Sequence, residues 1–457
     1  MKHIDIAEIF KNEKQYLGKT VTVCGWVRTS RESKNVAFIE LNDGTSLKHI
    51  QIVADKAVLT LNKELALGAS LMVNGTVVPT QNNTRVEINA AAVTLLGECP
   101  PEYPLQKKRH TMDFLRTIPH LRVRTNTFNA MLRVRSVLSA AINKYFCDNN
   151  YVYVHTPIIT GSDCEGAGEV FRVSIHEWKT AFATEKDYYD ADFFGQRAGL
   201  TVSGQLEGEV AAMGLGKIYT FGPTFRAEKS NTTRHAAEFW QIEPEVAFCE
   251  LFDIIAIAEE LIKYIISAVL KGCRTELEFF EAHFEADLVK KLTDVVGSSF
   301  EILEYEKAVE ILQKSGKPFV FEPKWGEDLA TEHERYITEE VFKKPVFVIN
   351  YPKKIKSFYM KQNDDGMTVA ATDLLVPGIG EIIGCSQREA DYDKLLEAIK
   401  ERGMNVEQYK HYLELRQFGS CPHSGFGLGL ERILLYVTGL GNIRDVQLYP
   451  RTVGDLR

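Results

Sequence analysis

Five short runs of alternating apolar and polar residues between positions 15 and 97 constrain this chain more than any other feature. They read "KTVTVCGWV", "NVAFIEL", "HIQIVA", "SLMVNGTVVPT" and "TRVEINAAAVTLL". Period-two alternation places every second side chain on one face, so each run predicts a half-buried strand. "NDGTS" at 42–46 is a hairpin turn, because Asp-Gly tolerates positive φ. "KAVLTLNKELA" at 56–66 reads as a helix. Five strands of this length with one helix predict a small Greek-key barrel.

The composition changes after residue 98. "CPPEYPLQKKRHTMDFLRTIPHLRVRT", 99–125, is rich in proline and basic residues, as a connector with a cationic face would be. "NTFNAMLRVRSVLSAAINKYFCDNN" then reads as an amphipathic helix, and "YVYVHTPIIT" as a strand broken by Pro157. Further on come "GLTVSG", "KIYTFGPTFRAE" and "EFWQIEPEVAF", a long helix "ELFDIIAIAEELIKYIISAVLKG", and a glycine-rich strand running into a last helix, "GFGLGLERILLYVTG". Strands follow strands without regular helical crossovers, so the larger part is α+β. Three segments result: 1–98, a connector at 99–125, and 126–457. Neither a dinucleotide fingerprint nor a P-loop stands at a strand–helix junction.

Net charge is −8, so any nucleic-acid contact must come from local basic patches. The eight cysteines form no C-x-x-C pair, which argues against a zinc ribbon. The N-terminal "MKHIDIAEIFKNEKQYLGKT" has no apolar signal core, which predicts a cytoplasmic protein.

Three clusters carry chemistry. In "FRAEKSNTTRHAAEF", Arg226 can grip a phosphate through two parallel hydrogen bonds. Arg234 and His235 can hold more distal phosphates, Phe239 offers a face to a base, and Glu228 an acceptor to an exocyclic amine. In the second cluster, glycines 425, 427 and 429 let a strand pass close to a ligand before Arg432 projects from the first helical turn. His423 lies just upstream. In the third, "TDLLVPGIGEIIGCSQRE", Asp373 and Glu381 are oxygen ligands suited to Mg²⁺ shared with phosphates.

"HTPIITGSDCEGAGE", "FRAEKSNTTRHAAEFWQIEPE" and "GFGLGLERILLYVTG" resemble, in order, the three signature motifs of class II aminoacyl-tRNA synthetases. "VCGWVRTSRESKNVAFIELNDG" resembles the anticodon-binding barrel of the aspartate/asparagine/lysine subgroup, and the likeness runs strongest toward its asparagine-specific branch. The resemblance implies an OB-type barrel at 1–98 and a catalytic domain at 126–457 built on an antiparallel sheet flanked by helices. It implies ATP, Mg²⁺, L-asparagine and tRNA(Asn) as ligands, and a homodimer formed through the helix and strand around Pro157.

By the same resemblance Arg226 and Arg432 are catalytic. Arg226 meets the α-phosphate of ATP. Arg432 and His235 meet the γ-phosphate, with Glu228, Arg234 and His423 also at the nucleotide. Phe239 stacks on adenine, and Asp373 and Glu381 bind the metal. Glu165, Ser203 and Gln205 hold the amino acid's α-amino end, Gln241 lies beside them, and Arg388 meets the side-chain carbonyl. Aspartyl members carry a lysine shortly after the glutamine that aligns with Gln205; here "SGQLEGE" carries glutamates instead. That favours an amide over a carboxylate, with Glu207 or Glu243 as acceptor. On the barrel, Phe38 stacks an anticodon base while Arg28, Gln51 and Glu87 make edge or phosphate contacts. Cys385 stands where relatives carry glycine, and 174–198 receives no role. An aspartyl or non-discriminating enzyme, a non-catalytic tRNA-binding paralogue and an ammonia-using asparagine synthetase are the alternatives. The last has no use for an anticodon barrel.

Overall fold

The computed structural model describes residues 2–58, 65–162, 164, 170–230 and 232–456. Most of the helix expected at 56–66 therefore lies outside the described residues, as does Glu165. The chain divides into two compact units, Met1–Leu132 and Arg133–Arg457. The division falls inside the helix Asn126–Asp148.

In the first unit, β1 (Thr20–Glu32), β2 (Val36–Asn42), β3 (Ile50–Asp55), β4 (Ser70–Pro79) and β5 (Val86–Gly97) close into a barrel in the order β1-β2-β3-β5-β4. Only β3 and β5 run parallel. The alternation read in the sequence is the inside–outside pattern. Val21, Val23, Ile39, Ile52, Leu71, Val73 and Ile88 fill the interior. An N-terminal helix, Ile6–Lys11, adds Ile6 and Ile9 to the same core. Each buried aliphatic side chain contributes about 1.5–3 kcal/mol. Gly75 marks the tightest approach of β4 to β5: a Cβ there would lie 2.3 Å from the Asn89 carbonyl oxygen.

Part of the connector's positive charge is turned inward. Arg122 is fully buried, with its guanidinium carbon 4.1 Å from the centre of the Phe128 ring. Arg124 lies over Trp26 at 5.4 Å. The exposed charge of this segment is at Lys107, Lys108 and Arg109.

The second unit holds an eight-stranded sheet. Its strands are β6 (Val152–Tyr153), β10 (Lys217–Phe225), β11 (Glu238–Ala247), β12 (Glu301–Glu304), β13 (Val346–Ile349), β14 (Ala371–Val376), β15 (Gly380–Gln387) and β16 (His423–Gly429). Their order is β12-β13-β14-β15-β16-β11-β10-β6. The six central strands are antiparallel to their neighbours; the edge strands β12 and β6 pair in parallel. A small separate sheet joins β7 (Ile159–Thr160), β9 (Ala198–Leu200) and β8 (Arg172–Val173). The helix Leu251–Gly272 packs on β15 and β16, and Ile254, Ala258, Leu261, Ile262, Ile265 and Val269 are among its buried residues. A reciprocal cap between Glu250 and Asp253 starts it. Among the described residues no helix is long and apolar enough to cross a membrane.

Candidate active site

Every second residue of β11 points to the same face of the sheet. Phe239, Gln241, Glu243 and Glu245 therefore line one cavity of about 330 Å³, and β14, β15, β16, the start of the last helix and the loops around Ser203, Arg234 and Lys356 add to its wall. Along its length the wall changes from cationic to acidic.

At the cationic end stand Arg226, Glu228, Arg234, His235, Phe239, Asp373, Glu381 and Arg432. Arg226 sits one residue past the end of β10 rather than within it, but its N–H still donates to the Ala237 carbonyl at 3.0 Å, which fixes the backbone. Its guanidinium carbon is 5.4 Å from the Phe239 ring centre. Ser230 and Thr232 both reach His235 Nδ1 at 2.9 Å. Arg234 donates to Thr331 Oγ1 at 3.2 Å. Arg432 comes from the first turn of the helix Leu430–Thr438 and donates to Glu381 Oε2 at 3.1 Å.

Lys356, which sequence reasoning missed, pairs with Asp373 at 2.5 Å. Burial pushes the Asp373 carboxyl up, and Lys356 partly offsets this. Glu381 feels the same push, but Arg432, Lys356 and Arg226 outweigh it and hold it below its ordinary value. Glu334, also missed, is pushed up to about 7 by burial beside Glu381 and Asp373. Asp373 and Glu381 supply carboxylate oxygens, the donor type that suits Mg²⁺. Among the described residues no three His, Cys, Asp or Glu side chains form a ready metal cage. Asp373 and Glu381 could hold such an ion only with substrate phosphates and water completing its shell.

At the acidic end stand Ser203, Gln205, Gln241, Glu243, Glu245 and Arg388. Glu243 is already occupied: it accepts from Ser203 Oγ, from the Gly204 N–H at 3.0 Å and from Thr220 Oγ1 at 3.0 Å. Arg388 is held by Glu245 through two hydrogen bonds, one of them 3.1 Å from Nε, and by Ser386 Oγ at 2.8 Å. Burial pushes the Glu245 carboxyl up to about 8, with Arg388 opposing and Glu209 and Glu243 reinforcing the push. The Gln241 side-chain oxygen is buried and has no protein partner. It is left for a donor on a ligand.

Three expectations need correction. His423 is fully buried, meets Glu209 at 2.9 Å, and is absent from the cavity wall. It faces a carboxylate behind the pocket, not the nucleotide end. Glu207 is also off the wall, since the helix Gln205–Leu215 turns it away, and burial raises its carboxyl. The acid in reach of a ligand side chain is Glu245, in phase with Gln241 and Glu243 on the same strand. Arg388 does line the cavity, but with its charge already paired. Arg28 is engaged too: its guanidinium donates to the Arg124 carbonyl and to Asn126 Oδ1 at 3.2 Å, so it braces the connector instead of facing outward. The remaining barrel candidates share the outer face. Phe38 is 37% exposed, and Gln51 Nε2 donates to Glu87 Oε2 at 2.6 Å across adjacent strands.

A family model described as tRNA synthetases class II (D, K and N) matches residues 111–453. The chain belongs to this family. A second model, an OB-fold nucleic acid binding domain, matches residues 21–96. The asparagine–tRNA ligase of Clostridium tetani is 52% identical to this synthetase over 459 residues, covering 99% of each chain. That of Clostridium beijerinckii is 53% identical over 458 residues, again covering 99% of each. Among solved structures, the asparaginyl-tRNA synthetase of Pyrococcus horikoshii complexed with asparaginyl-adenylate superposes with a TM-score of 0.88 at 34% identity, covering 100% of this chain and 99% of that one. The Entamoeba histolytica asparaginyl-tRNA synthetase with the same adenylate gives 0.81 at 28% identity, covering 96% of each.

Proposed function

We propose that this synthetase is an asparagine–tRNA ligase. It activates L-asparagine with ATP and passes the asparaginyl group to tRNA(Asn). The observation that carries the amino-acid choice is the pairing of Arg388 with Glu245 on the cavity wall. The pair offers a donor to a carboxamide C=O and an acceptor to its NH₂. A second carboxylate would meet an arginine whose charge is already answered, with Glu243 close by. A site built to hydrogen-bond an amide rejects the acid that lacks its NH₂. The relatives at 52% identity are asparagine–tRNA ligases, which supports the same reading.

The chemistry needs no general base, because the substrate carboxylate is itself the nucleophile. It attacks the α-phosphorus of ATP, the bond to the β-phosphate oxygen breaks, and pyrophosphate leaves. Arg226 stabilises the charge that grows on the α-phosphate, Arg432, Arg234 and His235 hold the distal phosphates, and Phe239 takes adenine on its face. Asp373 and Glu381 would hold Mg²⁺, which when bound neutralises phosphate charge. Ser203, Gln205 and the free oxygen of Gln241 receive the α-amino end. The outer face of the barrel at Phe38, Gln51 and Glu87 takes the anticodon. The protein works as a homodimer through the helix Asn126–Asp148 and β6. That edge strand is only two residues long and leaves Val152 and Tyr153 44% and 54% exposed, an apolar edge suited to a second copy.

The test is amino-acid-dependent pyrophosphate exchange with asparagine and aspartate. Exchange with asparagine is expected; exchange with aspartate alone would refute the reading.

A further inference from the structure

Behind the acidic end of the cavity lies a carboxylate that no ligand can touch. Glu209 is fully buried and absent from the cavity wall. Its Oε1 accepts from Gln205 Nε2 at 3.0 Å. Its Oε2 accepts from Arg416 Nη2 at 2.7 Å and meets His423 Nε2 at 2.9 Å. The Tyr412 hydroxyl bridges both oxygens at 2.8 and 2.9 Å. Arg388 Nε stands 3.9 Å away. An ionised carboxylate so deep in the protein survives only when its lone pairs are fully used. This one is: Arg416, His423 and Arg388 overcome the upward push of burial and hold it well below the usual carboxylate range.

The placement matters more than the burial. Gln205 and Arg388 stand on the cavity wall at positions assigned to opposite ends of the substrate amino acid, and Glu209 is in reach of both. We propose that Glu209, anchored by Arg416, His423 and Tyr412, is a positioning residue that sets the preference of the pocket for an uncharged side chain. This rests on the asparagine reading above. Glu209 acts through Arg388. With Glu245 hydrogen-bonded to Arg388 Nε and Glu209 3.9 Å from the same nitrogen, the guanidinium has little unanswered charge for a substrate carboxylate. Glu245 is the direct hydrogen-bond partner of Arg388, and Glu209 adds a second buried carboxylate beside the same guanidinium.

The experiment is pyrophosphate exchange by the full-length protein, with asparagine and aspartate titrated separately at saturating ATP. Glu209→Gln keeps the shape and removes the charge. Its KM for asparagine should rise about tenfold with kcat within about threefold, and the asparagine/aspartate ratio of kcat/KM should fall by about tenfold or more. A merely structural role would depress both amino acids in parallel and leave that ratio unchanged. Because Glu209→Gln leaves Arg416 buried without its partner, the double variant Glu209→Gln/Arg416→Gln is the second arm. It removes both charges and should show the same fall in ratio. An unchanged ratio in the folded single or double variant overturns the proposal. Wild type that exchanges asparagine while the variant ratio stays flat refutes this inference alone. Wild type with no asparagine-dependent exchange refutes the underlying reading, and this inference with it.

Discussion

Gly425 should be the least replaceable of the three glycines before the last helix. It lies on β16 opposite Glu245 on β11 and Ser386 on β15. A Cβ at this position would fall 2.2 and 2.4 Å from the two Glu245 carboxylate oxygens and 2.3 Å from their carbon. Ordinary contact begins near 3.4 Å, so Gly425→Ala must drive the carboxylate back by roughly 1 Å. Glu245 is 1% exposed and cannot escape into water. The displacement therefore breaks its two hydrogen bonds to Arg388, and disrupting a buried ion pair costs about 3–5 kcal/mol. Some of that cost appears as lost stability and the rest as lost affinity for asparagine. If about 2.7 kcal/mol falls on binding, KM for asparagine rises about a hundredfold, and KM for ATP moves far less. Pyrophosphate exchange with asparagine titrated at fixed ATP measures the lost affinity; a thermal melt measures the lost stability. Gly427→Ala is the control for stability. Its Cβ would meet only Gln241 Nε2, at 3.9 Å, so its melting temperature should match that of the wild type. A Gly425→Ala enzyme whose KM for asparagine stays within about threefold of wild type would refute the steric argument and the role given to the Arg388–Glu245 pair.

Phe38→Ala should weaken tRNA binding by about 1–3 kcal/mol, the worth of one stacked base, while leaving pyrophosphate exchange untouched. Filter binding against unmodified exchange kinetics checks it, and equal loss in both assays would contradict it. Lys356→Met strands Asp373, whose side chain is only 15% exposed, and should cost about 3–5 kcal/mol of stability, read by denaturant unfolding. For pH, Glu209 has a folded pKa held below its ordinary 4.5, so it stabilises the fold above that value. The contribution is lost as pH falls through the folded value. The stability gap between wild type and Glu209→Gln should accordingly narrow on acidification below about 4.5; a gap that widens would contradict the assignment.

The barrel was legible because its alternation is strict: within the quoted runs every second residue, such as Val21 and Val23 or Ile50 and Ile52, is buried. The long helix Leu251–Gly272 was legible for the same reason, through its 3.6-residue period. At the cavity, Arg226, Phe239, Glu381 and Arg432 were found because each stands in a motif whose local backbone fixes where it points. Glu245, Glu209 and Arg416 were not, because their importance comes from partners far away in sequence. Glu209 meets Arg416 across 207 positions, and Glu245 meets Arg388 across 143. His423 and Arg28 misled for a related reason. A basic residue next to a motif looks available until the structure shows what already occupies it. For Glu245 a signal did exist: on a strand, a third polar residue in phase with Gln241 and Glu243 must share their face.

That phase has a further consequence for how the cavity handles its ligand. Four residues of β11 face it in the order Phe239, Gln241, Glu243, Glu245: an aromatic ring, an amide and two acids. At about 3.3 Å per residue, the six steps from Phe239 to Glu245 span roughly 20 Å, enough to match an extended aminoacyl-adenylate. The sequence of chemistry along the strand follows the sequence along such a molecule: a base at the ring, an α-amino group at the free Gln241 oxygen, a side-chain amide at the acids. An adenylate placed in reverse would set its base against buried carboxylates and its carboxamide against Arg226. On the proposed assignment of the site, this one strand, paired with β10 and β16 on either side, sets both the orientation of the ligand and the distance between the two chemistries. That is why the acids can be tuned from behind by Glu209 without disturbing the phosphate end, and why a selectivity change in Glu209→Gln should leave KM for ATP unmoved.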